Sequence, residues 1–189
     1  MIMEQKTVNI YLEANPNPNS LKFVSDEMLV EAGKNYDFPT AESAEHAPLA
    51  AELFQYDYVR RVFYMSNFIT VTKDENVEWM EIQDELKAHI KGYLESGKQI
   101  INLSEMPPEK EETEMDLKIK SLLEEYIKPA VEQDGGAIEY KSFEDGVVKV
   151  FLQGSCSGCP SATVTLKSGI ENLLKTMLPE VQSVEAEEV

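Results

Sequence analysis

Cysteine and histidine are scarce in this sequence, with two of each among its 189 residues. Cys156 and Cys159 both lie in the stretch GSCSGCPSA, residues 154–162, whereas His46 and His89 lie far upstream. A structural zinc site normally takes four cysteine or histidine ligands at short, characteristic spacings. One copy of the chain therefore cannot complete such a site. The two histidines are predicted to be a surface residue at a helix start and a residue on a helix face.

Basic residues are also few, because 17 Lys and Arg stand against 35 Asp and Glu, for a net charge of −18. Residues 1–103 carry 17 acidic and 9 basic side chains, residues 104–115 carry 5 and 1, and residues 116–189 carry 13 and 7. Each segment is negative, and none contains a stripe of Lys and Arg. A phosphate backbone would be repelled along the whole chain. The sequence thus argues against a nucleic-acid partner.

Long apolar runs are missing as well. No run approaches the ~18 apolar residues of a transmembrane helix, and the start, MIMEQKTVNI, has no apolar stretch typical of a signal peptide. We expect a soluble, cytoplasmic protein without a membrane partner, with a bacterial source favoured over the mature form of an organelle protein. The sequence also lacks a Ser/His/Asp set, a Walker loop and a dinucleotide fingerprint. We therefore expect that it is not an enzyme.

Hydrophobic residues make up 42% of the chain, enough to build a core. Their spacing predicts a fold of two small α+β domains joined by an acidic, proline-containing linker. The first domain, residues 1–103, mixes strands and helices. Its predicted strands are 7–13, 21–25, 28–32, 59–65 and 68–73, and its predicted helices are 44–55 and 79–97. The linker, residues 104–115, combines Pro107-Pro108 with charge and has no apolar period.

The second domain, residues 116–189, is predicted to run in the order helix, hairpin, cysteine loop, helix, strand. Its elements are a helix from 117 to 133 with a kink or restart at Pro129, strands 137–143 and 147–153, a helix to about 178, and an edge strand at 181–187. Asp145-Gly146 is a strong hairpin signal between the two strands. The buried face of the first helix is predicted to contain Leu117, Ile119, Leu122, Leu123, Tyr126, Ile127 and Ala130. That of the last helix is predicted to contain Leu166, Ile170, Leu173, Leu174 and Met177.

The two thiols are expected at the start of the last helix. Pro160 suits the first position of a helix, where its missing N–H costs nothing, so Cys159 is predicted to be the N-cap. Both sulfurs would then lie near the positive end of the helix dipole, which lowers a thiol pKa and stabilises a metal-bound thiolate. Gly154 and Gly158 let the backbone fold closely around whatever the sulfurs hold. The position also predicts exposed thiols.

Four interpretations of this pair remain open on residues alone. The thiols are inert and structural, or they form a dithiol redox centre, which normally follows the first strand of a βαβ unit rather than a hairpin. Alternatively they bind structural zinc or an iron–sulfur cluster, and either commonly takes four ligands. Two copies of the chain would supply four thiolates. A site completed only by a partner can be opened to release its contents, which favours a carrier.

The same residues carry a family resemblance. Residues 116–188 resemble the NifU C-terminal, or Nfu, domain through DGGAIEY (134–140), DGVVKVFLQGSCSGCPSA (145–162) and TLKSGIENLL (165–174). The upstream part of the chain resembles the Nfu N-terminal domain through NPNPNSLKF (15–23), APLAAELF (47–54) and VFYMSNFITVTK (62–73). One departure is Ala137, where the family commonly has an acidic residue, which leaves Asp134 as the acid of this motif.

The resemblance implies an iron–sulfur cluster scaffold and carrier. It implies a four-iron four-sulfur (4Fe–4S) cluster, with a 2Fe–2S cluster as the alternative, bridged between two protomers by Cys156 and Cys159 of each. It also implies transfer of the cluster to apo iron–sulfur client proteins and an upstream assembly scaffold as donor. The alternatives from other classes remain a dithiol-disulfide oxidoreductase and a zinc-bridged interaction module.

Overall fold

The computed structural model describes residues 6–105 and 111–188, without the side chains of 105, 160–162 and 188. Contacts divide the chain into two compact units. One comprises Met1–Ala14 with Pro18–Pro107, and the other comprises Asn15–Asn17 with Pro108–Val189. Each unit combines a sheet with helices, which confirms the predicted α+β class. Among the described residues, no helix is both long and apolar enough to cross a membrane.

The first unit contains a five-stranded antiparallel sheet in the order β1-β2-β5-β4-β3. The strands are β1 (Ile10–Ala14), β2 (Ser20–Ser25), β3 (Asn35–Phe38), β4 (Val59–Met65) and β5 (Phe68–Lys73). The helices are α1 (Pro48–Leu53), preceded by a 3-10 turn (Glu42–Ala44), and α2 (Trp79–Glu95). A second 3-10 turn follows at Leu103–Glu105. Buried apolar residues of α1, α2 and the strands form one core, so helix and sheet stabilise each other by excluding water from these faces.

The third strand of this sheet is not where the sequence predicts it. Residues 28–32 form no strand, and the backbone N–H groups of Leu29 and Val30 donate to the Ser66 carbonyl instead. The strand is β3, which pairs with β4, and the ring of Phe38 packs edge-on against Tyr64 with 5.0 Å between ring centres. This non-local aromatic pairing, rather than local propensity, decides the position of the strand.

The second unit contains a three-stranded sheet in the order β6-β7-β8. Its elements are α3 (Glu114–Leu122), α4 (Lys128–Gln133), β6 (Gly136–Glu144), β7 (Val147–Gly154), α5 (Pro160–Met177) and β8 (Ser183–Glu188). The predicted hairpin joins β6 and β7, with Asp145 and Gly146 both at positive φ, 51° and 79°, as a two-residue type I′ turn requires. α5 crosses over to β8, which pairs parallel to β7 at the sheet edge.

The helical segment ahead of the hairpin is less regular than predicted. A π-helical stretch, Leu123–Ile127, separates α3 from α4, and Pro129 lies in the first turn of α4, which confirms the restart. Three residues predicted to be buried are exposed, namely Leu117 (54%), Tyr126 (51%) and Ala130. The wider π turn changes the phase of the buried stripe for Tyr126 and Ala130, whereas Leu117 precedes it. α3 begins at Glu114, inside the predicted linker, and Thr113 caps it. Linker residues 106–110 lie outside the described residues.

The core of the second unit lies between the helices and one sheet face. Ile170 and Leu174 of α5 are fully buried there together with Val148, Val150 and Val184. Met177, predicted for the same helix face, is instead 49% exposed because it lies at the last residue of α5. The start of α5, where the cysteines lie, is therefore fixed by packing further along the same helix.

Candidate metal centre

The two cysteines lie in the short loop that connects the central strand β7 to α5. Cys159 is the N-cap residue of α5, with extended φ and ψ of −95° and 107°, and Pro160 occupies the first turn, as predicted. The carbonyl of Cys159 accepts hydrogen bonds from both the backbone N–H and the hydroxyl of Thr163, each at 3.1 Å. The backbone at Cys159 is therefore held by the first turn of the helix.

The loop itself is a pair of tight turns. Gly154 and Gly158 have φ of 62° and 72°, a left-handed conformation that glycine adopts without steric penalty. The Cys156 N–H donates to the Gln153 carbonyl at 3.4 Å, and the Ser157 N–H donates to the Gly154 carbonyl at 3.2 Å. These turns place Cys156 one turn ahead of the helix start, on a backbone that is folded back on β7.

Asp134, Gly135 and Gly136 form the other wall of the site. Gly136 pairs with Gly154 in the β6–β7 ladder, the Ser155 N–H donates to the Gly135 carbonyl at 3.4 Å, and the Ser155 hydroxyl donates to the Asp134 carbonyl. A cleft lined in part by Asp134 opens beside Cys156. The segment ends α4 and leads into β6, and it also supports the cysteine loop.

The thiols are more protected than the sequence predicts. Cys156 and Cys159 are only 5% and 4% exposed, so the expectation of exposed thiols is wrong. Burial, followed by the nearby charge of Asp134, raises the pKa of Cys156 to about 11, and the opposing hydrogen bond from Ser155 does not compensate. The prediction of a lowered pKa is therefore wrong for Cys156, because desolvation of a thiolate outweighs the helix dipole.

The protein supplies two thiols here, and neither forms a disulfide. Across residues 6–105 and 111–188, no group of three or more Cys, His, Asp or Glu side chains is arranged to hold a metal ion. His89 is already engaged: its Nε2 lies 2.8 Å from Glu52 and its Nδ1 lies 2.8 Å from the Tyr56 hydroxyl. The prediction that it lies on a helix face is confirmed by its place in α2. A four-ligand zinc or iron–sulfur site would need two more ligands than Cys156 and Cys159 supply.

Two residues of this site make contacts that local sequence patterns do not express. Ser155 bridges the loop to Asp134, and Gly136 lies directly against the sulfur of Cys156. The double glycine is visible in the sequence, but its local signal is that of a helix stop. Only the pairing of β6 with β7 brings Gly136 to the cysteine loop.

Two known protein domain families match this chain. The description "Scaffold protein Nfu/NifU N terminal" matches residues 10–97, and "NifU-like domain" matches residues 119–185, which include both cysteines. The chain belongs to the Nfu/NifU family. The predicted family resemblance is thereby confirmed for both halves of the chain.

Curated relatives of this family member are similar along nearly its whole length. A Drosophila willistoni protein is 43% identical over 189 residues, which is 98% of this chain and 65% of that protein. A Drosophila grimshawi protein is 45% identical over 180 residues, 93% of this chain and 60% of that protein. Both are named "NFU1 iron-sulfur cluster scaffold homolog, mitochondrial". The chain thus spans slightly less than two thirds of the length of these relatives.

The names of these relatives contradict one prediction. A cytoplasmic and bacterial protein was expected from the sequence, whereas the matched relatives are named as mitochondrial proteins of Drosophila species. The expectation rested on the absence of a signal peptide and of a transmembrane run. Neither absence distinguishes the cytoplasm from the interior of an organelle.

Solved structures of similar proteins match parts of the chain. A solution structure of a NifU-like protein from Saccharomyces cerevisiae is 28% identical, covers 55% of this chain and 92% of its own, and has a TM-score of 0.48. A crystal structure of a Staphylococcus aureus protein is 18% identical, covers 43% of this chain and 98% of its own, and has a TM-score of 0.38. These partial likenesses add nothing to the assignment of function.

Proposed function

We propose that this protein is an iron–sulfur cluster scaffold and carrier. It binds a 4Fe–4S cluster between two protomers, with Cys156 and Cys159 of each protomer as ligands. The observation that carries the proposal is that the two cysteines of the chain lie together at the start of one helix. Four thiolates commonly hold an iron–sulfur cluster, and two copies of this loop provide four. The family of the chain and the names of its relatives support this choice of cargo over zinc.

The local chemistry suits a thiolate-bound, negatively charged cargo. The start of α5 presents backbone N–H groups and the positive end of a helix dipole. The turns at Gly154 and Gly158 leave no side chain at those positions to crowd the cargo. Because the unliganded Cys156 carries a proton at neutral pH, cluster binding must displace that proton.

Transfer proceeds by exchange of ligands without a change of oxidation state. A thiolate of the acceptor forms a new iron–sulfur bond, and the bond from the same iron to Cys156 or Cys159 breaks. The released cysteine takes up the proton that the acceptor thiol gave up, so charge and atoms balance. Repetition at each ligand passes the cluster on, and separation of the two protomers opens the site to the acceptor. Because the iron and sulfide of the cluster pass on unchanged and only the terminal thiolates are exchanged, the protein acts as a carrier rather than as an enzyme.

The partners follow from this role. They are a second copy of the chain, apo-proteins that receive the cluster, and an upstream scaffold that supplies it. The net charge of −18 favours basic surfaces on such partners and disfavours nucleic acid. The mitochondrial names of the relatives point to the interior of an organelle as the place of work.

Anaerobic reconstitution with iron and sulfide tests the proposal. We expect about four iron per dimer, a visible charge-transfer absorption typical of thiolate-bound clusters, and conversion of monomer to dimer on loading. Cys156→Ser and Cys159→Ser should each lose the iron and the dimer. Ser168→Ala, at an exposed position of α5 in the same unit, is the control and should retain both. Full iron content in both cysteine variants would refute the ligand assignment.

Metal analysis of anaerobically prepared protein separates the other classes of function. Zinc without visible absorption would indicate a zinc-bridged interaction module. Disulfide reductase activity in a metal-free monomer would indicate a dithiol-disulfide oxidoreductase.

A further inference from the structure

The sulfur of Cys156 occupies space that exists because residue 136 has no side chain. A Cβ atom at Gly136 would lie 2.5 Å from the Cys156 sulfur, 2.8 Å from the Gln153 carbonyl oxygen and 3.0 Å from the Cys156 nitrogen. Ordinary contacts of a Cβ begin at 3.4 Å. Two of these three atoms are backbone atoms, one of β7 and one of the cysteine loop, and backbone cannot yield as a flexible side chain can.

The backbone of Gly136 does not itself require glycine. Gly135 and Gly154 have positive φ, 76° and 62°, so their conformations explain why glycine is present. Gly136 instead begins the extended strand β6 and pairs with Gly154 in the ladder. Any residue adopts extended backbone. Glycine at position 136 is therefore explained by the space it leaves, and the atom that lies closest to that space is the sulfur.

We propose that Gly136 is a positioning residue for the Cys156 ligand. Because residue 136 has no side chain, the Cys156 sulfur can occupy the space beside its Cα. The inference rests on the proposed cluster-binding function for its importance. The contact between residue 136 and the Cys156 sulfur, however, is a property of the protein without a cluster. An added methyl group would push the sulfur by about 0.9 Å, the difference between 3.4 and 2.5 Å. Ligands of a working site must be held within about 0.5 Å, so the displacement exceeds what the site tolerates.

Gly136→Ala tests the proposal, and Gly169→Ala is its matched control. Gly169 lies in α5 of the same unit, and a Cβ there would meet nothing within 4 Å. Both variants add one methyl group to a glycine of the same sheet-and-helix unit. Alanine also favours a helix more than glycine does, so the control should fold at least as well as the parent protein.

The first readout is the reactivity of the apo-protein, measured as alkylation of Cys156 by iodoacetamide in a Cys159→Ser background. Gly136→Ala should raise the alkylation rate several-fold, because the sulfur is displaced from its buried position and becomes more accessible. Gly169→Ala should leave the rate unchanged. In the chain with both cysteines, Gly136→Ala should also lose most of the iron after reconstitution, and Gly169→Ala should retain it. Unchanged alkylation together with full iron content in Gly136→Ala would overturn the proposal.

The second readout is thermal stability of the apo-protein, which decides the matter even if Gly136→Ala folds poorly. Cys156→Ala alone should lower the melting temperature, because it empties buried space in the core of the unit. In the Gly136→Ala background, the same change should raise the melting temperature because it removes the contact with the sulfur. If the double variant Gly136→Ala/Cys156→Ala is no more stable than Gly136→Ala alone, the proposed contact between residue 136 and the sulfur is refuted.

Both apo readouts are independent of the cargo. Suppose that the parent protein binds no iron, while the alkylation rates are as expected and Cys156→Ala lowers the melting temperature of the parent but raises that of Gly136→Ala. The cluster function then fails and the positioning role of Gly136 stands. If the parent protein loads iron but neither apo readout responds to Gly136→Ala, the positioning role fails and the cluster function stands.

Discussion

Truncation of Ile170 should strongly destabilise the unit that holds the cysteines. Ile170 is 0% exposed at the middle of α5 and packs with Leu174 and the inner face of the sheet. Deleting a buried isoleucine to alanine costs about 2–5 kcal/mol, part transfer free energy and part cavity. In a unit of this size, even about 2 kcal/mol lowers the melting temperature by at least about 8 °C.

Met177→Ala is the informative control, because Met177 lies two turns further along the same helix and sequence spacing predicts it on the same face. It is 49% exposed. Half-burial of a methionine is worth about 1 kcal/mol, so the loss in free energy of unfolding should be about two- to five-fold larger for Ile170→Ala than for Met177→Ala.

Hydrogen exchange of the β7 amides measures the loss of stability in the unit that contains α5 and the cysteines. β7 is the central strand and is paired along both edges, so its amides exchange through the largest openings of the unit. The tryptophan is unsuitable as a probe because Trp79 belongs to the other unit. Equal destabilisation by Ile170→Ala and Met177→Ala would show that the packing of α5 has been assigned wrongly.

Two further predictions concern single interactions of the same unit. Gly146→Ala should lower the melting temperature, because a left-handed alanine costs about 1–2 kcal/mol and its Cβ would lie 2.8 Å from the side chain of Gln182; an unchanged melting curve would argue against the turn geometry. Hydrogen bonds from Thr113 and Tyr140 hold the pKa of Asp116 below its usual 3.8, so its contribution is complete above that pH and is lost as pH falls through the lowered pKa. Asp116→Asn should therefore reduce stability at neutral pH, and the difference from the parent protein should shrink towards strongly acidic pH in thermal scans; a gap that does not depend on pH would contradict this linkage.

The elements that sequence predicts well are those with strong local signals. β4 and β5 have the predicted bounds because β-branched and aromatic residues flank a two-residue turn. The turn at Asp145-Gly146 and the start of α5 at Cys159-Pro160 follow from backbone preferences that need no tertiary context. Local sequence alone therefore suffices to place the cysteine pair at a helix N-terminus.

The failures are non-local. The position of β3 depends on pairing with β4, and the exposure of Tyr126 depends on a π turn that changes the phase of the buried stripe. The pKa of Cys156 depends on desolvation, which sequence spacing does not express. Gly136 lies against the sulfur of Cys156 across 20 positions of sequence, a separation over which local patterns of residues carry no signal.

The parallel strand β8 has a consequence for truncated chains. It covers the edge of β7 from Val147 to Leu152, the strand that continues directly into the cysteine loop. A chain cut before Ser183 would leave that edge with unpaired N–H and C=O groups, a template for strand addition by another molecule. Such fragments are expected to associate edge to edge and to aggregate. Dimers formed in that way would persist in Cys156→Ser, so a dimer band from a shortened chain is no proof of a shared cargo.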